Sequence, residues 1–207
     1  MPKFPEPPPV ASLESLPPIV RRVDAGTLLW RIYFQDTVYQ TKWNTFRYFG
    51  PTASRFDHHE EPEHDQDRGI LYSAVDGGIC FAECFQETRT IDVHRHGPLL
   101  VGFKLAHSLD LLDLTSNWPT RAGTSMAINS GQRPRARRWA RAIYAAYPSL
   151  HGLWYASSMG ANEPAQALFE RAKFAMPGVP VIHRRLADPE LEGYVRRVAR
   201  RFGYVVV

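Results

Sequence analysis

The sequence predicts a single α+β domain with a mixed, mostly antiparallel sheet and flanking helices. Short runs of branched and aromatic residues recur along the whole chain, and amphipathic helical stretches lie among them. The two do not alternate in the regular strand–helix–strand order that builds a parallel sheet. At 207 residues, 44% hydrophobic and 12% aromatic, the chain has the length and composition of one folded domain rather than a disordered polymer. No internal repeat is visible.

Residues 1–26 read as a proline-rich arm, with Pro7-Pro8-Pro9 and Pro17-Pro18. Proline removes donors and fixes φ, so the arm is expected to be extended and loosely attached, with the domain proper over 27–207. Thr27–Phe34 is aromatic and branched, a strand. The acidic stretch Asp57–Arg68 has no periodicity and is expected to be an exposed loop. A strand over Gly69–Val75 leads through Asp76-Gly77-Gly78 into a helix over Ile79–Thr88. Gly97–Leu105 and Leu109–Leu114 are two more strands.

The clearest helical stripe is Ala136, Trp139, Ala140, Ile143, Tyr144 and Tyr147, predicting a helix over Arg133–Tyr147 that Pro148 ends. Strands are expected at Gly152–Ala156, Ala165–Phe169 and Pro180–Arg184. Asp188-Pro189 is a helix start with proline at the first helical position, and Leu191, Tyr194, Val195 and Val198 supply the apolar face. Gly203–Val207 closes the chain as a strand.

The net charge of +4 is modest and comes largely from local arginine clusters. The two cysteines, Cys80 and Cys84, stand four apart on the expected helix, a spacing that suits neither a disulfide framework nor a four-ligand zinc site. They are expected to be buried free thiols. Neither a secretory signal nor a membrane-length apolar segment is present, so the expectation is a soluble, cytoplasmic protein.

Several motifs fall away. No dinucleotide fingerprint and no phosphate loop occur. His58-His59-Glu60-Glu61-Pro62-Glu63-His64 hints at metal, but His59 and His64 are five apart with Pro62 between them, and no metal is expected. Ala156-Ser157-Ser158-Met159-Gly160 is one residue from a nucleophile elbow, with His183 later in the chain; alanine at the crowded turn and Pro164 soon after argue against a serine hydrolase. The arginines of the 133–141 stretch would suit a basic nucleic-acid-binding module, though such runs are more often solvated surface or a protein contact.

A smaller set carries chemistry. Glu83 lies in the apolar segment Ile79–Gln86, where an ionised carboxylate needs a reason to be. Arg31 stands mid-strand between Trp30 and Ile32, a fixed planar cation suited to a diphosphate. Arg55, in Gly50-Pro51-Thr52-Ala53-Ser54-Arg55-Phe56-Asp57, suits the same anion. Tyr72 offers a ring to stack on a heterocycle and a hydroxyl to hydrogen-bond. Ser157 ends a buried strand.

Their order is Trp30-Arg31-Ile32, Arg55-Phe56-Asp57, Gly69–Tyr72, Phe81-Ala82-Glu83-Cys84, then Gly152–Ser157. In this order the chain resembles the RES-domain family, over roughly Thr27 to Phe169. The resemblance implies an ADP-ribosyltransferase-like fold and a toxin of a bacterial toxin–antitoxin pair that degrades NAD⁺ by phosphorolysis or hydrolysis. It implies Arg31, Tyr72, Glu83 and Ser157 as catalytic residues, with Ser130 and Ser158 as other candidates for the family serine and Arg55 as a substrate-binding residue. NAD⁺ would be substrate rather than cofactor, with inorganic phosphate as a candidate co-substrate. A cognate antitoxin with a helix-turn-helix domain is the implied partner, and neither direct nucleic-acid binding nor membrane association is expected; a homo-oligomer is compatible. The alternative activity is mono-ADP-ribosyl transfer to a macromolecule. Ile32 stands where some family members carry tyrosine.

One carboxylate is enough for NAD⁺. The nicotinamide ring is already cationic and departs neutral, so the general acid of ordinary glycosidases is not required.

Overall fold

Strand alternation sets the architecture. The computed structural model describes residues 2–37 and 42–207. Its strands are β1 (Val20–Val23), β2 (Leu28–Phe34), β3 (Arg47–Gly50), β4 (His64–Ala74), β5 (Thr90–Ile91), β6 (Pro98–Lys104), β7 (Leu109–Asp113), β8 (Gly152–Ala156), β9 (Pro164–Phe169), β10 (Ile182–Arg185) and β11 (Val205–Val206). The helices are α1 (Val10–Glu14), α2 (Gly77–Cys84), α3 (Trp118–Arg121), α4 (Arg133–Ala146) and α5 (Pro189–Phe202).

The main sheet runs β1-β7-β8-β9-β4-β2-β6-β10, with β3 on the outer part of β4. All its pairings are antiparallel except β7 with β8, while β11 and β5 form a small parallel pair apart from it. The expected α+β domain with a mixed, mostly antiparallel sheet is what forms.

Alternate residues of the strands feed two apolar layers. Ile32, Ile70, Leu100, Leu112, Leu153 and Tyr155 join the layer that also takes Phe81, Trp139 and Val195 from the helices. Leu29, Tyr33, Leu71, Val101, Leu111, Trp154 and Leu168 face the other way. Helices therefore cover one face of the sheet.

The feature that positions the site is a parting of the central strands. β2 pairs with β6 along its whole length, from Leu28↔Lys104 to Phe34↔Pro98. It meets β4 only at Trp30↔Ala74, whereas β4 pairs with β9 from Ile70↔Phe169 to Ala74↔Ala165. Beyond Trp30 the two central strands diverge and a cleft opens between them.

Four expectations need correction. Apart from Met1, which lies outside the described residues, the arm is packed rather than loosely attached. Phe4 and Leu13 are buried, Trp139 Nε1 donates to the Pro5 carbonyl at 2.8 Å, and β1 pairs with β7. Segment 57–68 is not an exposed loop. Asp57, His58 and His59 are completely buried and β4 already begins at His64. The helix expected to reach Thr88 stops at Cys84, where Phe85 turns inward as its cap. Finally, Cys80 is buried but Cys84 is exposed.

Four of the five arginines of α4 are engaged in ion pairs rather than presented as a free basic face. Arg135 and Arg138 pair with Glu6 of the arm, Arg141 with Glu60 and Glu61, and Arg133 with Glu87. Among the described residues no helix is long and apolar enough to cross a membrane.

Candidate active site

The cleft between β2 and β4 has a volume of about 590 Å³, inside the range of ligand pockets. Arg31, Tyr72, Glu83, Arg55 and Ser158 all contribute to its wall.

Glu83 comes from the last turn of α2. The Asp76 carboxylate caps that helix by accepting from Ile79 N at 3.2 Å, and the buried residues Ile79, Phe81 and Ala82 fix its rotation. This leaves Glu83 half-buried at the cleft rather than enclosed in apolar core. Its Oε1 accepts a short hydrogen bond from Ser157 Oγ. Gln86 Nε2 donates to the Glu83 carbonyl at 2.8 Å and approaches Oε2 at 3.5 Å. The carboxylate is thus held from two sides.

Ser157 follows β8 at the start of a tight turn and is completely buried. Its N–H donates to the Glu163 carbonyl at 2.9 Å. It does not line the cleft; it reaches the cleft through Glu83. Ser158 lines the wall without bonding Glu83, and Ser130 caps the short turn Met126–Asn129 on the surface. No histidine bonds Ser157: His183 pairs instead with the Tyr33 hydroxyl at 2.7 Å, so no serine–histidine dyad forms.

Four guanidinium groups, those of Arg31, Arg47, Arg55 and Arg133, line the same cleft as the acid. Arg31 Nη1 donates to the carbonyls of Trp43 at 2.9 Å and Thr45 at 3.3 Å. Burial brings Arg31 down to about 10, with Arg47 adding to the shift and Cys84 and Tyr33 opposing it; it stays charged at neutral pH. Arg55 Nη1 donates to the Gly131 carbonyl. Burial and then Arg133 lower it, while Glu83 opposes the shift. Arg31 with Arg47, and Arg55 with Arg133, are two like-charged pairs around one cleft. Asp57 and Glu87 already pair with Arg47 and Arg133, so it is Arg31 and Arg55, held on main-chain carbonyls, that chiefly favour an anionic occupant.

Arg47 and Arg133 were not singled out from sequence. Arg47 is held by Asp57, whose Oδ2 it reaches at 2.7 Å while donating also to the Phe49 carbonyl. Burial opposes ionisation of Asp57, but His59, Arg47 and Thr52 outweigh it and keep the carboxyl far below its ordinary range. The buried charge is therefore paired and hydrogen-bonded, the condition under which such a charge is tolerated. His59 Nδ1 bonds Asp57, His64 Nδ1 bonds the Pro62 carbonyl, and no metal-holding group occurs among the described residues.

Tyr72 sits on β4 on the helix-facing side of the sheet, with Ser54 and the Phe56 backbone beside its oxygen. Burial pushes the phenol well up, so it is a donor at neutral pH, and its oxygen makes no full hydrogen bond. Cys84 lies exposed on the cleft wall, where desolvation by the surrounding protein and then Glu83 push its thiol up.

Fold and cleft together define the class: a mostly antiparallel α+β domain with a split central sheet and an acid–serine pair at the opening. The profile of the RES domain matches residues 28–190, and the chain belongs to the RES-domain family. Among solved structures it is similar to a chain of the M. tuberculosis MbcT–MbcA toxin–antitoxin complex, at 13% identity, with a TM-score of 0.57 over 91% of this chain and 97% of that one. That likeness shows the fold. No curated protein sequence matches.

Proposed function

We propose that this protein is an NAD⁺-degrading enzyme that breaks the nicotinamide–ribose bond, and that it acts as the growth-inhibiting toxin of a toxin–antitoxin pair. The observation that carries the reading is the Glu83 carboxylate, held by Ser157 with Gln86 beside it, in a cleft lined by Arg31, Arg47, Arg55 and Arg133. Family membership and a fold shared with a chain of a toxin–antitoxin complex support the toxin role and a cognate antitoxin partner.

In this reading the arginines grip the diphosphate and Tyr72 packs against the nicotinamide or ribose. Arg31 and Arg55 are already held on main-chain carbonyls, so little reorganisation is needed on binding. As the C–N bond breaks, its electron pair goes to the ring nitrogen and nicotinamide leaves neutral. Positive charge develops on the ribose, where Glu83 stabilises it. An already ionised oxygen of phosphate then bonds to the ribose carbon, or water does so and passes its proton to solvent. Ser157 acts through Glu83 and is not a nucleophile.

The test is incubation of the purified chain with NAD⁺, with and without inorganic phosphate, and identification of the products. Nicotinamide release is expected, with phosphorylated ADP-ribose if phosphate is the acceptor and free ADP-ribose if water is. Unchanged NAD⁺ in both conditions would overturn the reading. Labelled ADP-ribose appearing on protein or RNA would replace it with macromolecular ADP-ribosylation.

A further inference from the structure

Helix α5 lies almost wholly outside residues 28–190 matched by the family profile, yet one of its side chains ties together the two segments that bear Glu83 and Ser157. Arg201, on the last turn, donates Nη1 to Asp76 Oδ1 at 3.0 Å and Nη2 to Glu163 Oε1. Asp76 is the N-cap of α2, whose far end carries Glu83. Glu163 closes the turn that begins at Ser157: its carbonyl accepts from Ser157 N at 2.9 Å and its N–H donates to the Gly160 carbonyl at 2.9 Å. The loop closes where Ser157 Oγ meets Glu83.

Two observations show that this contact is built into the packing. A Cβ on Gly78 would lie 3.0 Å from Arg201 Nη1 and 2.9 Å from Asp76 Oδ1, so glycine makes the room in which the guanidinium crosses the start of α2. A Cβ on Gly160 would lie 2.1 Å from Ile79 Cδ1, so the serine turn sits directly on α2. The turn also carries Ala161 and Asn162 at φ of 53° and 67°, a left-handed conformation that asparagine adopts readily and alanine seldom does.

We propose that Arg201 is a positioning residue for the Glu83–Ser157 pair, holding the acid's helix and the serine's turn in register from outside the cleft. This rests on the reading that Glu83 acts on NAD⁺. The three side chains are 38–41% exposed, so the bridge contributes little to overall stability; its contribution is geometric. Guanidinium is suited to it because its planar fork meets two carboxylates at once, which an ammonium group does less well.

The test compares Arg201→Ala, Arg201→Lys and Arg196→Ala in the whole chain, by NAD⁺ kinetics, melting temperature and amide exchange. Arg196 pairs with Glu192 on the same helix, and its loss is a charge-matched control. Arg201→Ala is expected to lower kcat by roughly tenfold at unchanged KM, since small displacements of reacting groups are costly. Arg201→Lys recovers part of the loss, Arg196→Ala matches wild type, and melting temperatures stay close together. Exchange at the Ser157 amide should rise in Arg201→Ala alone. Wild-type kcat in Arg201→Ala, or a loss that Arg196→Ala shares, overturns the proposal. If wild type consumes no NAD⁺ the functional reading fails; Ser157 exchange still decides whether Arg201 clamps the turn, and unchanged protection would refute it.

Discussion

Replacing Ser157 by alanine isolates the hydroxyl that holds Glu83. Ser157 is buried and outside the cleft wall, and Oγ donates directly to Glu83 Oε1. A hydrogen bond to a charged group is worth about 1.5–3 kcal/mol, and each 1.36 kcal/mol is a factor of ten in rate. If the bond acts by fixing the carboxylate at the reacting ribose, kcat for NAD⁺ cleavage falls by roughly 10- to 150-fold. KM stays close to wild type because the serine does not touch substrate. Water can reach the half-exposed carboxylate in its place, so unfolding free energy drops by only about 1 kcal/mol. Ser158→Ala, in the wall but unbonded to Glu83, is expected to change kcat by less than about threefold on the same logic. Steady-state nicotinamide release with urea unfolding on both variants decides it. A Ser157→Ala enzyme with more than half of wild-type kcat, or a larger loss in Ser158→Ala, would refute the reasoning.

Arg55→Ala and Arg133→Ala each remove a cation from one pair, and each should raise KM for NAD⁺ about tenfold with a smaller effect on kcat; unchanged KM in both would place the diphosphate elsewhere. Glu170 accepts from Gly69 N at 2.9 Å and from the Tyr144 hydroxyl at 2.7 Å. Burial opposes its ionisation, but His58, Gly69 and Tyr144 outweigh it and bring it from 4.5 to about 2. A carboxylate lowered on folding stabilises the protein above its unfolded pKa and loses that contribution as pH falls through the folded one. Glu170→Gln should therefore cost about 2–3 kcal/mol at pH 6, with the gap to wild type shrinking as pH falls from 4.5 to 2; a pH-independent gap in denaturant titrations would contradict this. Phe4→Ala should destabilise the fold by about 3 kcal/mol, because Phe4 is buried against Gly131 and beneath Arg135; no effect on unfolding would mean the arm is detached.

Much of the fold was legible because burial writes a period into sequence. β2, β6, β7, β8 and β9 carry continuous or alternating apolar residues, and α4 and α5 carry apolar stripes, so their boundaries agree with expectation to within a few residues. The outer half of β4, His64-Asp65-Gln66-Asp67-Arg68, is polar on both sides because it pairs with the short β3 near the surface, and nothing apolar marks it as strand. The end of α2 has neither glycine nor proline; Phe85 stops it by turning into the core, a tertiary cause. The buried state of Asp57–His59 depends on Arg47 and Thr52, partners that no local pattern identifies.

At the site, Arg31, Tyr72, Glu83 and Arg55 do share one cleft, and Ser157 joins it by way of Glu83. Arg31 was visible as a cation in an apolar strand, and Glu83 as an acid on an apolar helix. Arg47 and Arg133 were not, since one stands in a strand that carried no pattern and the other begins a helix whose arginines read as solvated. What brings these groups together is the divergence of β2 and β4, a property of pairing in three dimensions.

The most direct measurement is nicotinamide release by Glu83→Gln beside NAD⁺ binding by the same variant. Glutamine keeps the shape and an oxygen for Ser157 but removes the charge. The account predicts a fall in turnover of at least about a hundredfold, the scale of one lost electrostatic stabiliser, with NAD⁺ affinity within a few-fold of wild type. Turnover at the wild-type rate would contradict it.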